Sequence, residues 1–361
     1  MIEKNKKINL IPIGASWRKK VDKIKEYERL TKERFNYGDF ISSFMPLFEF
    51  EQGQKLKHKL LKEYKNKLIE EIFNGEILET KKGPCYCLTN DSDVKIIKPD
   101  SDTARGKILG CTKLLYGIGD FKQQRLKESG FNTIADLINH PVYGKEAKDL
   151  MILLEQVDTL GLMEVCYRWL PKSHPLVFSL TGFHNLEDFI FLDIETMGLH
   201  SRPIILFGIA YFQKDRLCIK QYLLRSIADE SAALMATLTH VKPNTVFISY
   251  NGKSYDIPYI MERAAFYRLR TQLDHPHFDL LHFSRRLWRG KLPDCSLKTI
   301  EEEVIGVKRT DDVPSALIPD FYATYLREDN PGPLVPIVEH NRHDLIALAQ
   351  VFSLLWQQMD K

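Results

Sequence analysis

The chain lacks the features that would place it in a membrane or in an oxidising compartment. Its apolar runs are too short to span a bilayer, and its charged beginning has no cleavage pattern of small residues. Six cysteines occur without any Cys-x-x-Cys pair, which argues against a zinc knuckle and a dithiol redox motif. Internal repeats and low-complexity tracts are absent from the sequence. We therefore expect a cytoplasmic protein with reduced, buried thiols and no membrane partner.

The size and composition predict an ordinary globular protein of about two domains. The 361 residues are 44% hydrophobic and 27% charged. The formal net charge is only +3, but the charge is unevenly distributed. The chain up to residue 180 has 31 basic and 25 acidic residues, and the rest has 20 and 23. This asymmetry suggests a polyanion-binding first half and a second half with functional carboxylates, although ordinary solvated surface explains it equally well.

The first half, over residues 1–175, is predicted to be mainly helical. Lysine-rich helical stretches alternate with an aromatic link between residues 15 and 72, and KKGPCYCLTN followed by VKII predicts a short β hairpin. Residues 107–141 then predict a helix, the Gly117-Ile118-Gly119 turn, a second helix and a short third one, which resembles a helix-hairpin-helix. The glycines allow a tight turn whose amides can meet a phosphate, and Lys122 on the second helix adds charge. A helical hairpin that only packs against its neighbours is the alternative.

The pattern changes near residues 171–183, where we place the domain boundary. Short apolar strands follow, with helices between and after them. We therefore expect an α/β domain over residues 181–361, in which helices flank a mixed sheet. The strands are predicted at FIFLDIET, IILFGIAYF, LCIKQYLL and TVFISYN, and the helices at 229–241, 257–269, 296–305, 318–327 and 334–359.

Acidic residues stand at unusual positions in this second domain. Asp193 and Glu195 lie two apart in an apolar strand, so both carboxylates are on one face. Burial of such groups requires partners, and hard divalent cations are suitable ones. Asp256 follows the strand TVFISY and opens the next helix, where it is either a helix cap or a further ligand. Asp279, in HFDLL, is interpreted as structural.

The last predicted helix has an acid with a histidine on the same face. Asp344 is surrounded by helical apolar residues, and His340 precedes it by four positions. His343 is adjacent in sequence but points about 100° away. A histidine beside a metal-binding carboxylate can act as a general base, whereas most helical histidines are simply satisfied polar residues.

The ordered set Asp193-x-Glu195, Asp256 and Asp344 resembles that of the DEDD exonucleases of the ribonuclease H-like superfamily, in which four acids hold two metal ions. Several segments resemble the YprB-like branch of that superfamily more closely. The resemblance covers residues 189–355 almost continuously and is carried by LDIETMGLHSRPIILFGIA, SYNGKSYDIPYI, HFDLLHFSRRLWRGKLPDCSLKTIEEEVIGVKR and PGPLVPIVEHNRHDLIALA.

The resemblance implies a ribonuclease H-like fold and a 3′–5′ exonuclease that uses two Mg²⁺ or Mn²⁺ ions held by the four acids. Its partner is nucleic acid, with single-stranded or frayed 3′ ends favoured and DNA favoured over RNA. The backbone of Thr196, Met197 and Gly198 is expected to line the terminal nucleotide, and Asn251 is expected to contact the nucleic acid. The alternatives are a structure-specific endonuclease and an inactive nucleic-acid-binding protein on the same fold; the complete acid set argues against the inactive protein.

One residue departs from the better-known DEDD branches. Their last motif has Tyr four residues before the Asp or His five residues before it, whereas His340 has the four-residue spacing here. His340 is therefore a candidate base, a group that orients water, or a support of the metal site, and His343 is the competing candidate.

A basic run provides a further candidate for nucleic-acid contact. Arg285, Arg286, Arg289 and Lys291 occur close together, with Trp288 between them. Such a run suits phosphates and a stacked base, although surface charge is an equally good explanation.

Overall fold

A seven-stranded mixed sheet is the centre of the protein. The computed structural model describes residues 46–198, 201–310 and 312–360. The sheet has the strand order β1-β2-β5-β4-β3-β6-β7, and helices flank it, which confirms the predicted α/β fold class. The strands are β1 (Gly75–Thr80), β2 (Gly83–Ser92), β3 (Phe189–Thr196), β4 (Ile204–Gln213), β5 (Arg216–Leu223), β6 (Val246–Ser249) and β7 (His277–Asp279).

Strand β3 lies inside the sheet because its side chains are apolar on both faces. It pairs antiparallel with β4, where Asp193 is opposite Gly208, and parallel with β6, where Phe191 is opposite Ile248. Strands buried on both faces characteristically have such continuous apolar runs. Asp193 and Glu195 therefore lie on a rigid, fully paired strand, and the register shifts just after Glu195.

The hairpin β1–β2 extends this sheet from the part of the chain that was predicted to be mainly helical. Strand β2 pairs antiparallel with β5, with Tyr86 opposite Leu223. The Tyr86 side chain is buried, and its hydroxyl donates a hydrogen bond to the carbonyl oxygen of Phe73 at 2.7 Å. The sheet thus contains strands from both sides of the predicted boundary near residues 171–183. The first lysine-rich stretch, up to residue 45, lies outside the described residues.

A helical segment follows the hairpin and shares a core with the rest of the chain. Ile108, Leu150 and Cys166 are buried in one apolar cluster that continues to Phe178 and Phe352. This cluster joins the segment to the sheet. Before β3 the helices are α1 (Leu47–Glu63), α2 (Ile69–Ile72), α3 (Ser101–Gly110), α4 (Asp120–Glu128), α5 (Gly144–Glu155), α6 (Thr159–Trp169) and α7 (Pro175–Ser179).

The long C-terminal helix positions the last functional motif. It packs across β3 and β4 through a periodic buried stripe that includes Ile337, Asn341, Leu345 and Leu348. None of the described helices is long and apolar enough to cross a membrane. After β5 the helices are α8 (Glu230–Leu238), α9 (Asp256–Phe266), α10 (Leu280–Trp288), α11 (Leu297–Ile300), α12 (Ile318–Glu328) and α13 (Leu334–Met359).

Candidate active site

Two carboxylates project from β3 into the protein. Asp193 is half-buried and Glu195 is 8% exposed. Burial is the largest cause that raises both pKa values well above their ordinary range, and the charge of Asp344 is the next. Asp193 and Glu195 therefore lie in a region of concentrated negative charge.

Asp256 joins this pair from the start of α9. The sequence left open whether its carboxylate caps the helix; the residue before the helix, Tyr255, makes no side-chain cap, and Asp256 instead accepts a hydrogen bond from the backbone N–H of Ile194 at 3.1 Å. Burial raises the pKa of Asp256 to about 7. Gly252 makes room for this arrangement, since a Cβ there would lie 2.9 Å from Oδ2 of Asp256. The carboxylate is thus attached to the neighbouring strand.

Asp344 approaches from α13 and is held by Arg309. Its Oδ1 lies 2.5 Å from Nη2 of Arg309, whose Nε lies 2.5 Å from Oε2 of Glu301. The Arg309 side chain is only 1% exposed, so this ion pair is largely screened from solvent. Arg309 therefore sets the position of the Asp344 carboxylate.

The donor set of the four acids fits a hard divalent cation. All their side-chain donors are oxygens, which Mg²⁺ and Mn²⁺ prefer. In the described ranges, no lysine or arginine forms an ion pair with Asp193, Glu195 or Asp256, whose described hydrogen-bond partners are neutral amides. No three described His, Cys, Asp or Glu side chains are already arranged as a metal site. The excess negative charge is consistent with a bound cation.

His340 lies beside this acidic centre, as its spacing from Asp344 predicts. Its Nε2 is 3.6 Å from Oδ2 of Asp344 and 3.2 Å from Oγ of Ser315, and its Nδ1 is 2.7 Å from Oδ1 of Asp312. Burial lowers the pKa of His340, but the hydrogen bond to Asp312 and the nearby charges outweigh this effect and raise it. His343 points elsewhere, and its nearest acid partner is Glu339 at 4.0 Å. Of the two histidines, His340 is the one beside the acids.

The comparison with known families agrees with the fold. The family model described as the RNase_H superfamily matches residues 190–356. These residues form a ribonuclease H-like domain. The chain is also 34% identical over 196 residues to the uncharacterized protein YprB of Bacillus subtilis strain 168. That match covers 53% of this chain and 47% of the relative, so the chain spans about half the length of the curated relative that it matches.

Sequence reasoning missed a polar network that holds Asp193 in place. The Nδ2 of Asn341 donates to Oδ2 of Asp193 at 2.7 Å and to its backbone oxygen at 3.1 Å. Nε2 of Gln221 donates to Oδ1 of Asn341 at 2.9 Å. A Cβ at Gly208 would lie only 2.1 Å from that Oδ1, so the close approach requires glycine. The only sequence signal was a polar residue at a buried position of an apolar helix stripe.

Arg309 and Asp312 were missed as well, because they lie in an irregular segment without a recognisable pattern. With Ser315, His340 and Asp344 they line a cleft of about 1040 Å³. Asp312 ion-pairs with His340. Burial raises the pKa of Asp312, but the hydrogen bond to His340 and the charges of His340 and Arg309 outweigh burial and lower this pKa to about 2. Only the folded chain brings this segment to α13.

Three residues predicted to contact nucleic acid lie near the acids. Thr196 follows Glu195 at the end of β3, and its hydroxyl lies 2.8 Å from both the Gly198 oxygen and the Tyr255 hydroxyl. Asn251, at φ +66°, begins the loop that leads to Asp256. The backbone N–H of Asn251 donates to Oδ1 of Asp279 at 2.8 Å. Asp279 also caps α10, in agreement with its interpretation as a structural residue.

The other predicted nucleic-acid contacts lie on separate surfaces. Arg285, Arg286 and Arg289 are exposed on and just after α10, and they line a cleft of about 490 Å³ with Lys172. Trp288 is 5% exposed in the apolar core, so the expectation of base stacking on it is wrong. The remaining set lies in the helical segment, at the turn before α4 and on α4 itself: Gly117, Gly119 and Lys122.

Proposed function

We propose that the protein is a divalent-metal-dependent 3′–5′ exonuclease that hydrolyses phosphodiester bonds of nucleic acid, with DNA favoured over RNA. One observation carries the proposal: hydrogen bonds from Ile194 to Asp256 at 3.1 Å and from Asn341 to Asp193 at 2.7 Å join α9 and α13 to β3 at its acids. The charge of Asp344 accordingly helps to raise the pKa values of the three other acids. Such mutual repulsion costs stability and is typical of functional sites.

The cofactor in this proposal is a pair of Mg²⁺ or Mn²⁺ ions. Asp193, Glu195, Asp256 and Asp344 would hold them, because these side chains supply the oxygen donors on three elements of the domain. When bound, the ions would supply an activated water and charge neutralisation of the leaving 3′ oxygen.

The protein groups around the acids have separate tasks in this proposal. Asn341 orients Asp193, and the amide of Ile194 orients Asp256. His340 accepts the proton of the attacking water at Nε2, while Asp312 holds Nδ1 and thereby sets the ring orientation. Arg309 keeps Asp344 in place.

The substrate end is expected near Thr196, Gly198 and Asn251, which surround the ends of β3 and β6. A single-stranded or frayed 3′ end fits this proposal, because the terminal residue must leave its partner strand to reach buried acids. Phosphates further from the end would contact Arg285, Arg286 and Arg289. They would also contact the helix-hairpin-helix-like segment through Gly117, Gly119 and Lys122.

The decisive experiment is digestion of 5′-labelled single-stranded and duplex DNA and RNA with Mg²⁺ or Mn²⁺. We expect a ladder that shortens from the 3′ end and no products in EDTA. Changing any one acid to its amide, as in Asp193→Asn or Glu195→Gln, should lower turnover by orders of magnitude, because it removes one charged oxygen ligand. Asp279→Asn is the matched control and should retain turnover, since Asp279 binds backbone amides.

The product pattern separates this proposal from its alternatives. Internal cuts at defined structures would identify an endonuclease, and binding without any turnover would identify an inactive binding protein. Full activity in EDTA, or in Asp193→Asn, would contradict metal-dependent hydrolysis at these acids.

A further inference from the structure

A cluster of cations crosses from the helical segment to the ribonuclease H-like domain. Four of its members line the cleft of about 490 Å³, whose described lining residues include no Asp or Glu. The fifth lies in the loop before α9. We call this surface the basic groove; it consists of Lys172, Lys253, Arg285, Arg286 and Arg289.

Two of these cations are gathered on one aromatic ring. The Nζ atoms of Lys172 and Lys253 lie 5.9 Å and 5.6 Å from the ring centroid of Tyr167, which is near the end of α6. Burial and the charge of Lys172 lower the pKa of Lys253. Like charges held together are unfavourable, so the pair favours an anion that binds both.

The charge of Asp279 raises the pKa of Lys253, but its carboxylate is hydrogen-bonded to the backbone and not to the lysine ammonium groups. The Asp279 carboxylate accepts hydrogen bonds from the backbone N–H groups of Asn251, Lys253 and Leu281. Neither Lys172 nor Lys253 forms an ion pair with any described acidic side chain. The positive charge of the groove is therefore available to a polyanion.

The groove leads away from the acidic centre. Lys253 precedes Asp256 by three residues, so their Cα atoms are at most about 11 Å apart. At the other end, the ring of Tyr116, which precedes Gly117, lies 5.7 Å from the ring of Trp169, three residues before Lys172. The groove therefore lies between the acids and the helix-hairpin-helix-like segment.

We propose that the basic groove binds the sugar–phosphate backbone of the nucleic acid, and that Lys172 and Lys253 together bind one phosphate at the Tyr167 ring. This proposal rests on the proposed function, because it concerns the same substrate. Because Lys253 is only three residues before Asp256, the bound phosphate is within a few nucleotides of the reactive one. The arginines of α10 bind the phosphates that follow.

Salt-dependent binding tests the proposal. The affinity of the full chain for fluorescent oligonucleotides would be measured by anisotropy in EDTA, at several salt concentrations, for Lys172→Ala, Lys253→Ala and the double variant. Each lysine removed should lower the salt slope by about 1. Lys81→Ala is the matched control, because Lys81 is exposed in the β1–β2 turn. Strand β1 is at one edge of the sheet, whereas β7, which leads into α10 and its arginines, is at the other edge. Lys81→Ala should leave the slope unchanged.

Neutral backbone linkages make the test sharper and need no variant that must fold. A single methylphosphonate moved along the oligonucleotide should weaken binding to the intact protein most at one linkage near the 3′ end. The double variant should be insensitive at that position. Equal sensitivity at every position would contradict the proposed phosphate site. An unchanged salt slope in a double variant that keeps the melting temperature of the intact protein would contradict it as well.

These measurements do not depend on cleavage. Loss of slope in the lysine variants without any turnover by the intact protein would support the groove and contradict the exonuclease. Normal 3′–5′ digestion together with unaltered binding by the variants would contradict the groove alone.

Discussion

Replacing Asp256 by Asn should stabilise the metal-free protein at alkaline pH. The pKa of this carboxyl rises from its ordinary value of 3.8 to about 7, chiefly because of burial. Above pH 7 the folded protein must therefore hold an unfavourable charge at Asp256. Asn removes that charge, and its side-chain oxygen can still accept the hydrogen bond from the Ile194 amide.

The magnitude follows from the shift. Each pKa unit corresponds to 1.36 kcal/mol, so a shift of about three units costs roughly 4 kcal/mol above pH 7. Between pH 4 and 7 the folded state holds a proton that the unfolded state has lost, so stability at this group falls as pH rises. The stability gained by Asp256→Asn should therefore increase by about 3 kcal/mol between pH 5 and pH 8.

Urea unfolding of both proteins in EDTA at pH 5 and pH 8 measures this difference. Asp279→Asn is the control at another buried aspartate, and it should lose stability at both pH values because the Nδ2 of Asn cannot accept the hydrogen bond that Oδ2 of Asp279 accepts from the backbone N–H of Lys253. Mg²⁺ or Mn²⁺ should reduce the stability that Asp256→Asn gains over the unchanged protein, since a bound cation offsets the charge of the Asp256 carboxylate. A pH-independent difference, or a less stable Asp256→Asn at pH 8, would refute the reasoning.

Three further predictions concern chemistry and binding. His340→Ala should lower turnover by about 10² to 10⁴, far more than His343→Ala, because only His340 is beside Asp344; single-turnover rates would show the reverse order if His343 were the base. Asn341→Leu should lower the rate while the protein remains folded, which circular dichroism and the rate would report; an unchanged rate would contradict its orienting role. Substituting valine at both Gly117, at φ +76°, and Gly119 should weaken nucleic-acid binding but spare turnover on saturating short oligonucleotides; unchanged affinity would make the turn a packing element.

The sequence was sufficient for features that depend on local periodicity. The apolar run around Asp193 and Glu195 predicted a buried strand with both carboxylates on one face, and the structure has that strand as β3. The four-residue spacing predicted that His340 and Asp344 share a helix face, and their side chains are 3.6 Å apart. Strand and helix geometry repeats along the chain, so spacing alone specifies such relations.

Local patterns also misled where burial decides the outcome. Trp288 stands among arginines in the sequence, yet α10 turns it into the apolar core. The hairpin predicted at KKGPCYCLTN and VKII begins earlier in the structure, as β1 and β2, and its local pattern did not show that it completes the sheet beside β5. A short pattern does not reveal which neighbour covers a side chain.

The sequence by itself therefore determined the fold class, the strand of the paired acids and the helix face of Asp344. Only the tertiary structure decided that Asn341 orients Asp193, that Arg309 holds Asp344, and that Lys172 and Lys253 meet on one ring. The physical reason is distance along the chain: Asn341 and Asp193 are 148 positions apart. No periodicity extends over such a separation, and the contact exists because α13 packs on β3.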